Sequence, residues 1–210
     1  MNHQGRLVGK TKAKKAAEKQ VDDFEIGAKI KALRTAKKKT LQEVANDTGF
    51  SPALISQIEN NNVSPPIATL SRIAKVLGVR VGYFFEDEGI ESDYEVLRAD
   101  QRPIVTKVIS SSGGQHGYIY HALTHKKRDK LMEPFVLTVE PGVRDDDNQY
   151  SHEGEEFLLV MDGEVELLLG EDRIVLEEGD SVYFESSLKH RLLSHGDEKA
   201  RVLAVLCRGN

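Results

Sequence analysis

The feature that most limits the fold of this chain is a change of hydrophobic period after Phe85. Before it, apolar residues recur at three- and four-residue spacing; from Ile104 onward they alternate. The first spacing belongs to helices with one buried face and the second to half-buried strands. An α + β chain in two domains is predicted: an all-α domain followed by an all-β barrel. The boundaries are a basic arm over 1–22, a helical domain over 23–86, a linker over 87–103 and a β domain over 104–210.

Local signals divide the helical block. Ile26, Ile30 and Leu33 form one apolar face. Thr40 with Glu43 reads as a capping box that starts a second helix at Leu41, and Gly49 ends it. Ser51 caps a third helix with Pro52 at its first position and Leu54, Ile55 and Ile58 inward. Ser64, Pro65 and Pro66 open a fourth with Leu70, Ile73, Ala74 and Leu77 inward, and Val81 to Phe85 reads as a closing turn. Beyond the linker, short strands are expected at 104–110, 118–123, 135–140, 156–160, 165–169, 173–176, 181–184, 190–194 and 202–206. Turn pairs such as Asp162–Gly163 and Gly179–Asp180 separate them, the pattern of a barrel or jelly roll.

Charge is divided in the same way. Residues 1–82 carry 15 Lys and Arg against 7 Asp and Glu, and residues 83–210 carry 14 against 27. Only the first part attracts a polyanion. The lysines of the arm contact DNA phosphates or are simply solvated. Cys207 has no partner for an internal disulfide, which fits a reducing cytoplasm, and no apolar stretch suits a membrane helix.

Two helices around a tight turn, inside a basic domain, place the second helix in a DNA major groove. The run Leu54–Ile55–Ser56–Gln57–Ile58–Glu59, with Pro65 and the frame Leu70, Ile73, Ala74, Leu77 and Gly78, resembles the Xre, or lambda-repressor-like, helix-turn-helix family. With Leu54, Ile55 and Ile58 buried, the groove side falls to Ser51, Pro52, Ala53, Ser56 and Gln57. Gln57 carries the donor and acceptor that read an adenine edge, or is a solvated helix residue. Pro52 and Ala53 suit thymine methyls. The resemblance implies a structural ion pair between Arg34 and Glu59. It also implies a glutamine that grips the DNA backbone where Leu41 stands here, so that Lys37, Lys38 and Lys39 either supply phosphate contacts instead or are surface lysines.

The β block resembles the cupin family on two motifs. Tyr150 to Glu156 with Gly163 matches the first, and Glu178 to Phe184 with His190 the second. In metal-binding cupins these supply three histidines and a glutamate. Tyr150 stands in place of the first histidine, which leaves His152, Glu156 and His190. The resemblance implies either a divalent ion (Fe, Zn, Ni or Mn) on these three, with open positions opposite, or a vestigial polar set in a barrel that binds an organic ligand directly. Tyr118, Tyr120, Phe135 and Tyr150 line the effector pocket or form core; no organic cofactor is expected. The other histidines, His116, His121, His125 and His195, fit neither motif.

The expected function is a cytoplasmic transcriptional regulator. It binds double-stranded DNA at an inverted repeat as a homodimer or higher even-numbered oligomer, and its barrel senses a small molecule. The alternative is a mononuclear non-haem iron oxygenase or epoxidase carrying a helix-turn-helix domain.

Overall fold

The computed structural model describes residues 24–86, 92–109, 116–142 and 149–207; the basic arm lies outside the described residues. Four helices open it: α1 (Ile26–Ala36), α2 (Leu41–Thr48), α3 (Pro52–Glu59) and α4 (Ile67–Val76), closed by a 3-10 turn over Val81–Phe84. Local chemistry sets their ends. The Thr40 hydroxyl accepts from the Glu43 N–H at 3.1 Å while the Glu43 carboxylate accepts from the Thr40 N–H at 2.7 Å. Gly49 ends α2 at φ 74°, a left-handed angle that a Cβ disfavours. The Ser51 hydroxyl accepts from the Leu54 N–H at 3.1 Å, and Pro52 follows at the position where a missing N–H costs nothing.

Ile30, Val44, Ile55, Ile58, Leu70, Ile73, Leu77 and Phe84 are fully buried and make the helical core. Each contributes about 1.5–3 kcal/mol by leaving water. Leu54, expected inward, is only half-buried, and Tyr83 of the closing turn is exposed.

Nine strands follow: β1 (Ile104–Ile109), β2 (His116–Ala122), β3 (Met132–Val139), β4 (Glu155–Asp162), β5 (Val165–Leu169), β6 (Asp172–Leu176), β7 (Ser181–Glu185), β8 (His190–Ser194) and β9 (Ala200–Cys207). They form a six-stranded sheet in the order β1-β2-β3-β9-β4-β7 and a three-stranded sheet β6-β5-β8, with antiparallel neighbours throughout. The last strand lies in the middle, between β3 and β4. Its residues Val202, Ala204 and Leu206 alternate inward with Leu158 and Val160 of β4 and Phe135, Leu137 and Val139 of β3.

The helical domain is seated on the barrel. Phe85, just past the closing turn, stacks edge-on against Phe135 with ring centroids 5.8 Å apart. The buried Thr106 hydroxyl donates to the Pro65 carbonyl at 2.8 Å and shares a 2.7 Å hydrogen bond with Ser64. A Cβ on Gly82 would stand 1.9 Å from a Glu133 carboxylate oxygen, so the Glu133 side chain occupies the space that a larger residue at 82 would take. The stretch before β1 is fastened too. The Glu95 carboxylate accepts from the N–H groups of His125, Lys126 and Lys127, and these bonds hold its pKa below the usual value although burial alone would raise it. Among the described residues no helix is long and apolar enough to cross a membrane.

Candidate metal centre and nucleic-acid interface

Helix α3 turns Ile55, Ile58 and Glu59 into the core and leaves Ser51, Ala53 and Gln57 exposed, with Pro52 and Ser56 half-buried. Glu59 accepts both Nε–H and Nη2–H of Arg34, at 2.6 and 2.9 Å. The remaining amino group of Arg34 donates to the Lys39 carbonyl at 2.9 Å. One guanidinium therefore ties α1 to α3 and to the turn before α2, and the hydrogen bond to Glu59 raises its pKa. The Lys39 ammonium donates to Asp47 at 2.8 Å. Such an exposed pair is weakened by solvent and salt. Arg72, which sequence reasoning did not single out, braces the end of α2. Its guanidinium lies 4.7 Å over the Phe50 ring and donates to the Thr48 carbonyl.

In the barrel, two residues four apart in sequence meet a third from a distant strand. Glu156 points inward from β4, His190 begins β8, and His152 sits on the loop before β4, held there by its N–H donating to the Ser186 carbonyl at 2.9 Å. Their ligand atoms all lie within 4.8 Å of one another. His152 Nε2 is 2.6 Å and His190 Nε2 3.5 Å from Oε1 of Glu156. The other ring nitrogens face carbonyls: His152 Nδ1 that of Glu153 at 3.0 Å, and His190 Nδ1 that of Leu188 at 2.8 Å. A carbonyl only accepts, so each Nδ1 carries its proton. In the neutral rings both Nε2 atoms then present lone pairs to a carboxylate, an arrangement that requires a cation between them, either a proton or a metal ion.

The charges agree with that geometry. Burial would raise the pKa of Glu156, but its hydrogen bonds to His152 and His190 outweigh it and hold it at about 2. Burial would lower that of His190, and Glu156 raises it. Two imidazoles and a carboxylate form the set that holds a divalent ion on one face with open positions opposite. The residues present thus fit a metal.

Tyr150 joins the site through its backbone, exchanging hydrogen bonds with His190 at 3.0 and 2.8 Å. Its pKa is pushed up to about 12 by burial and by Tyr118, which keeps the phenol neutral and a donor rather than an anionic ligand. The pKa of Tyr120 is also raised well above its usual value, by burial first and then by Tyr118 and Glu156. Tyr118 donates to the Leu192 carbonyl and accepts from the buried Arg191 at 3.2 Å. Arg191 was missed in the sequence, where it reads as one polar residue in an apolar strand.

Rings continue from the site to the helical domain: Tyr118 to Tyr120 at 6.4 Å, Tyr120 to Phe135 at 6.3 Å and Phe135 to Phe85 at 5.8 Å. On another side Lys75 of α4 pairs with Glu153, next to His152. The remaining described histidines stay apart from the centre. His121 is half-buried on β2, His125 lies 3.4 Å from Glu95, and His195 lies 3.9 Å from Glu164; the side chain of His116 lies outside the description.

Fold and site together define a helix-turn-helix domain joined to a cupin barrel. Residues 30–84 match the helix-turn-helix family model and residues 135–206 the cupin domain model. The chain is 30% identical over 171 residues to the (S)-2-hydroxypropylphosphonic acid epoxidase of Streptomyces wedmorensis, covering 77% of this chain and 85% of the relative. It is 24% identical over 179 residues to the HTH-type transcriptional regulator PuuR of Escherichia coli (strain K12), covering 85% and 92%. A solved HTH_3 family transcriptional regulator from Vibrio cholerae shares the fold at a TM-score of 0.60 and 23% identity, over 89% of this chain and 96% of that one. The chain belongs to the family that joins an N-terminal helix-turn-helix domain to a C-terminal cupin domain.

Proposed function

We propose that this protein is a DNA-binding transcriptional regulator whose barrel senses a small effector at a divalent metal held by His152, Glu156 and His190. The observation that carries the reading is that one chain joins the two: the domain that exposes Ser51, Ala53 and Gln57 on α3 closes with Phe85 packed against Phe135 of the barrel. When bound, the metal would supply Lewis acidity and open coordination positions for an oxygen or nitrogen of the effector. Tyr150 donates a hydrogen bond to whatever fills the open side, and Tyr118 and Tyr120 shape the wall. An effector that moves Tyr120 presses on Phe135 and so on Phe85, and one that moves His152 pulls on Lys75 through Glu153. Either changes how α3 is presented to DNA.

A single helix-turn-helix reads few base pairs, so two copies bind an inverted repeat with half-sites one helical turn apart. The test is titration of the full-length protein on the promoter of its own operon with elemental analysis of the same preparation. Binding should weaken steeply with salt as lysines release counterions, and about one divalent ion should accompany each chain. Undetectable or salt-independent binding overturns the regulator reading.

A second reading, a mononuclear iron oxygenase, is favoured by the 30% identity to an epoxidase. Oxygen-dependent turnover of a small substrate by the iron-loaded protein would establish it in place of the first.

A further inference from the structure

The seat of the helical domain on the barrel holds a second cluster of charges, which shares no residue with the metal centre and is supplied by both domains. Arg80 precedes the closing turn, and its guanidinium reaches across the junction. Nη1 donates to the Lys130 carbonyl at 2.9 Å, and Nη2 donates to Oε1 of Glu86 at 3.0 Å. Oε1 of Glu133 lies 3.8 Å from Nη1, and Oδ1 of Asp129 lies 3.7 Å from Nη2. The buried Lys130 ammonium stands 3.0 Å from Oε2 of Glu133. Arg80 is the member that crosses: it binds a carboxylate of its own domain and a carbonyl of the other, and faces two carboxylates there.

This junction is imperfectly satisfied. Among the described residues Oε1 of Glu133 accepts no hydrogen bond, and burial raises the pKa of this carboxyl although Lys130 and Arg80 pull it down. A buried carboxylate oxygen without a donor is costly, so the contact is easier to open than the neutral one at Ser64 and Thr106, whose hydroxyls are both partnered. It also communicates with both working regions. Glu133 stands two residues before Phe135 on the same buried side of β3, and Phe135 is the ring between Tyr120 and Phe85. On the helical side, Lys29 of α1 donates to the carbonyls of Phe84 and Glu86 at 3.3 and 2.7 Å, and Arg34 of the same helix holds Glu59 of α3.

We propose that Arg80 and Glu133 form an interdomain latch that fixes the angle of the helical domain on the barrel and so sets the half-site spacing an operator must have. The role in spacing rests on the regulator reading above. A recognition helix held at one angle meets its half-site at one spacing, whereas a domain free to swing meets several. Arg80 is a positioning residue: it acts through α1 and the Arg34–Glu59 pair.

Scanning calorimetry and operator titration of the full-length protein test this with Arg80→Gln, Glu133→Gln and Ser64→Ala. Wild type should unfold in one transition. Arg80→Gln and Glu133→Gln should each split it in two at unchanged metal content, and Ser64→Ala should not. On operator duplexes with half-sites one or two base pairs closer or farther apart, wild type should lose at least about tenfold in affinity and the two latch variants less than about threefold. The two substitutions enter from opposite domains, so the test stands if one of them fails to fold. A wild type that already unfolds in two transitions, or a single transition kept by both variants, overturns the latch. Equal splitting by Ser64→Ala overturns its assignment to the ions. Split transitions with unchanged spacing preference overturn the role in operator choice. A wild type that binds no operator overturns the regulator reading and the spacing role with it, while calorimetry still decides whether these ions join the domains.

Discussion

The run that opens on Ser51 and continues as α3, and the run that opens on Tyr150 and enters β4, each carry a few polar residues that the fold treats oppositely. The side chains of Ser51 and Gln57 stay in water, as groups that exchange solvent for a phosphate or a base edge must. Those of the barrel run are carried inward until Glu156 is 7% exposed and enclosed by two imidazoles. Recognition of a large partner needs groups that are solvated until it arrives. Coordination of a small one needs groups already stripped of water and held in place. The two regions therefore fail in different ways when altered.

The largest effect is expected at the buried end. His152→Ala should abolish metal retention and blunt the effector response, while operator affinity without effector changes less than about threefold, well under 1 kcal/mol. Elemental analysis and a DNA titration on one preparation check it; equal loss of both would show that the two regions act as a single unit. Arg34→Ala comes next. It leaves the buried Glu59 carboxylate unpaired, at a cost of about 3 kcal/mol, and should lower the melting temperature by several degrees. Equal melting curves would show that the pair carries no load. Gln57→Ala should leave the melting temperature unchanged and relax preference at one base position by about 1–3 kcal/mol, read by binding to a panel of single-base operator variants.

The smallest effect is in pH. The raised pKa of His190 means that its charged form favours folding, so this contribution is complete below 6.5 and is lost as pH climbs through the raised folded value. The lowered pKa of Glu156 contributes above 4.5 and is lost as pH falls through about 2. Metal-free protein should therefore melt highest between these limits and soften on the alkaline side. Protein loaded with metal should lack that alkaline decline, because the ion takes the place of the proton. A pH-melting series with and without chelator separates the two curves.

Much of the helical domain was legible because its signals are local. The Thr40–Glu43 box, the Ser51 cap with Pro52, and Gly49 act within a few residues of themselves, so neighbours in sequence suffice to place the helix ends. Leu54 packs against the core as expected but keeps part of its surface in water, because the width of a buried stripe depends on what packs against it. His152, Glu156 and His190 could be named because both motifs carry fixed spacings, whereas Arg191 could not, because a strand pattern alone does not say which neighbour meets a buried guanidinium.

By itself the sequence determined two blocks of opposite period, the caps that bound the helices, and the three residue types able to share a cation. The tertiary structure alone decided that the final strand lies between β3 and β4, that Phe85 leaves its own domain to meet Phe135, and that Lys75 reaches Glu153 beside His152. Period and capping are energies between residues a few positions apart and leave a mark in composition. Contacts between distant segments exist only after the chain has closed on itself, and no local pattern records them.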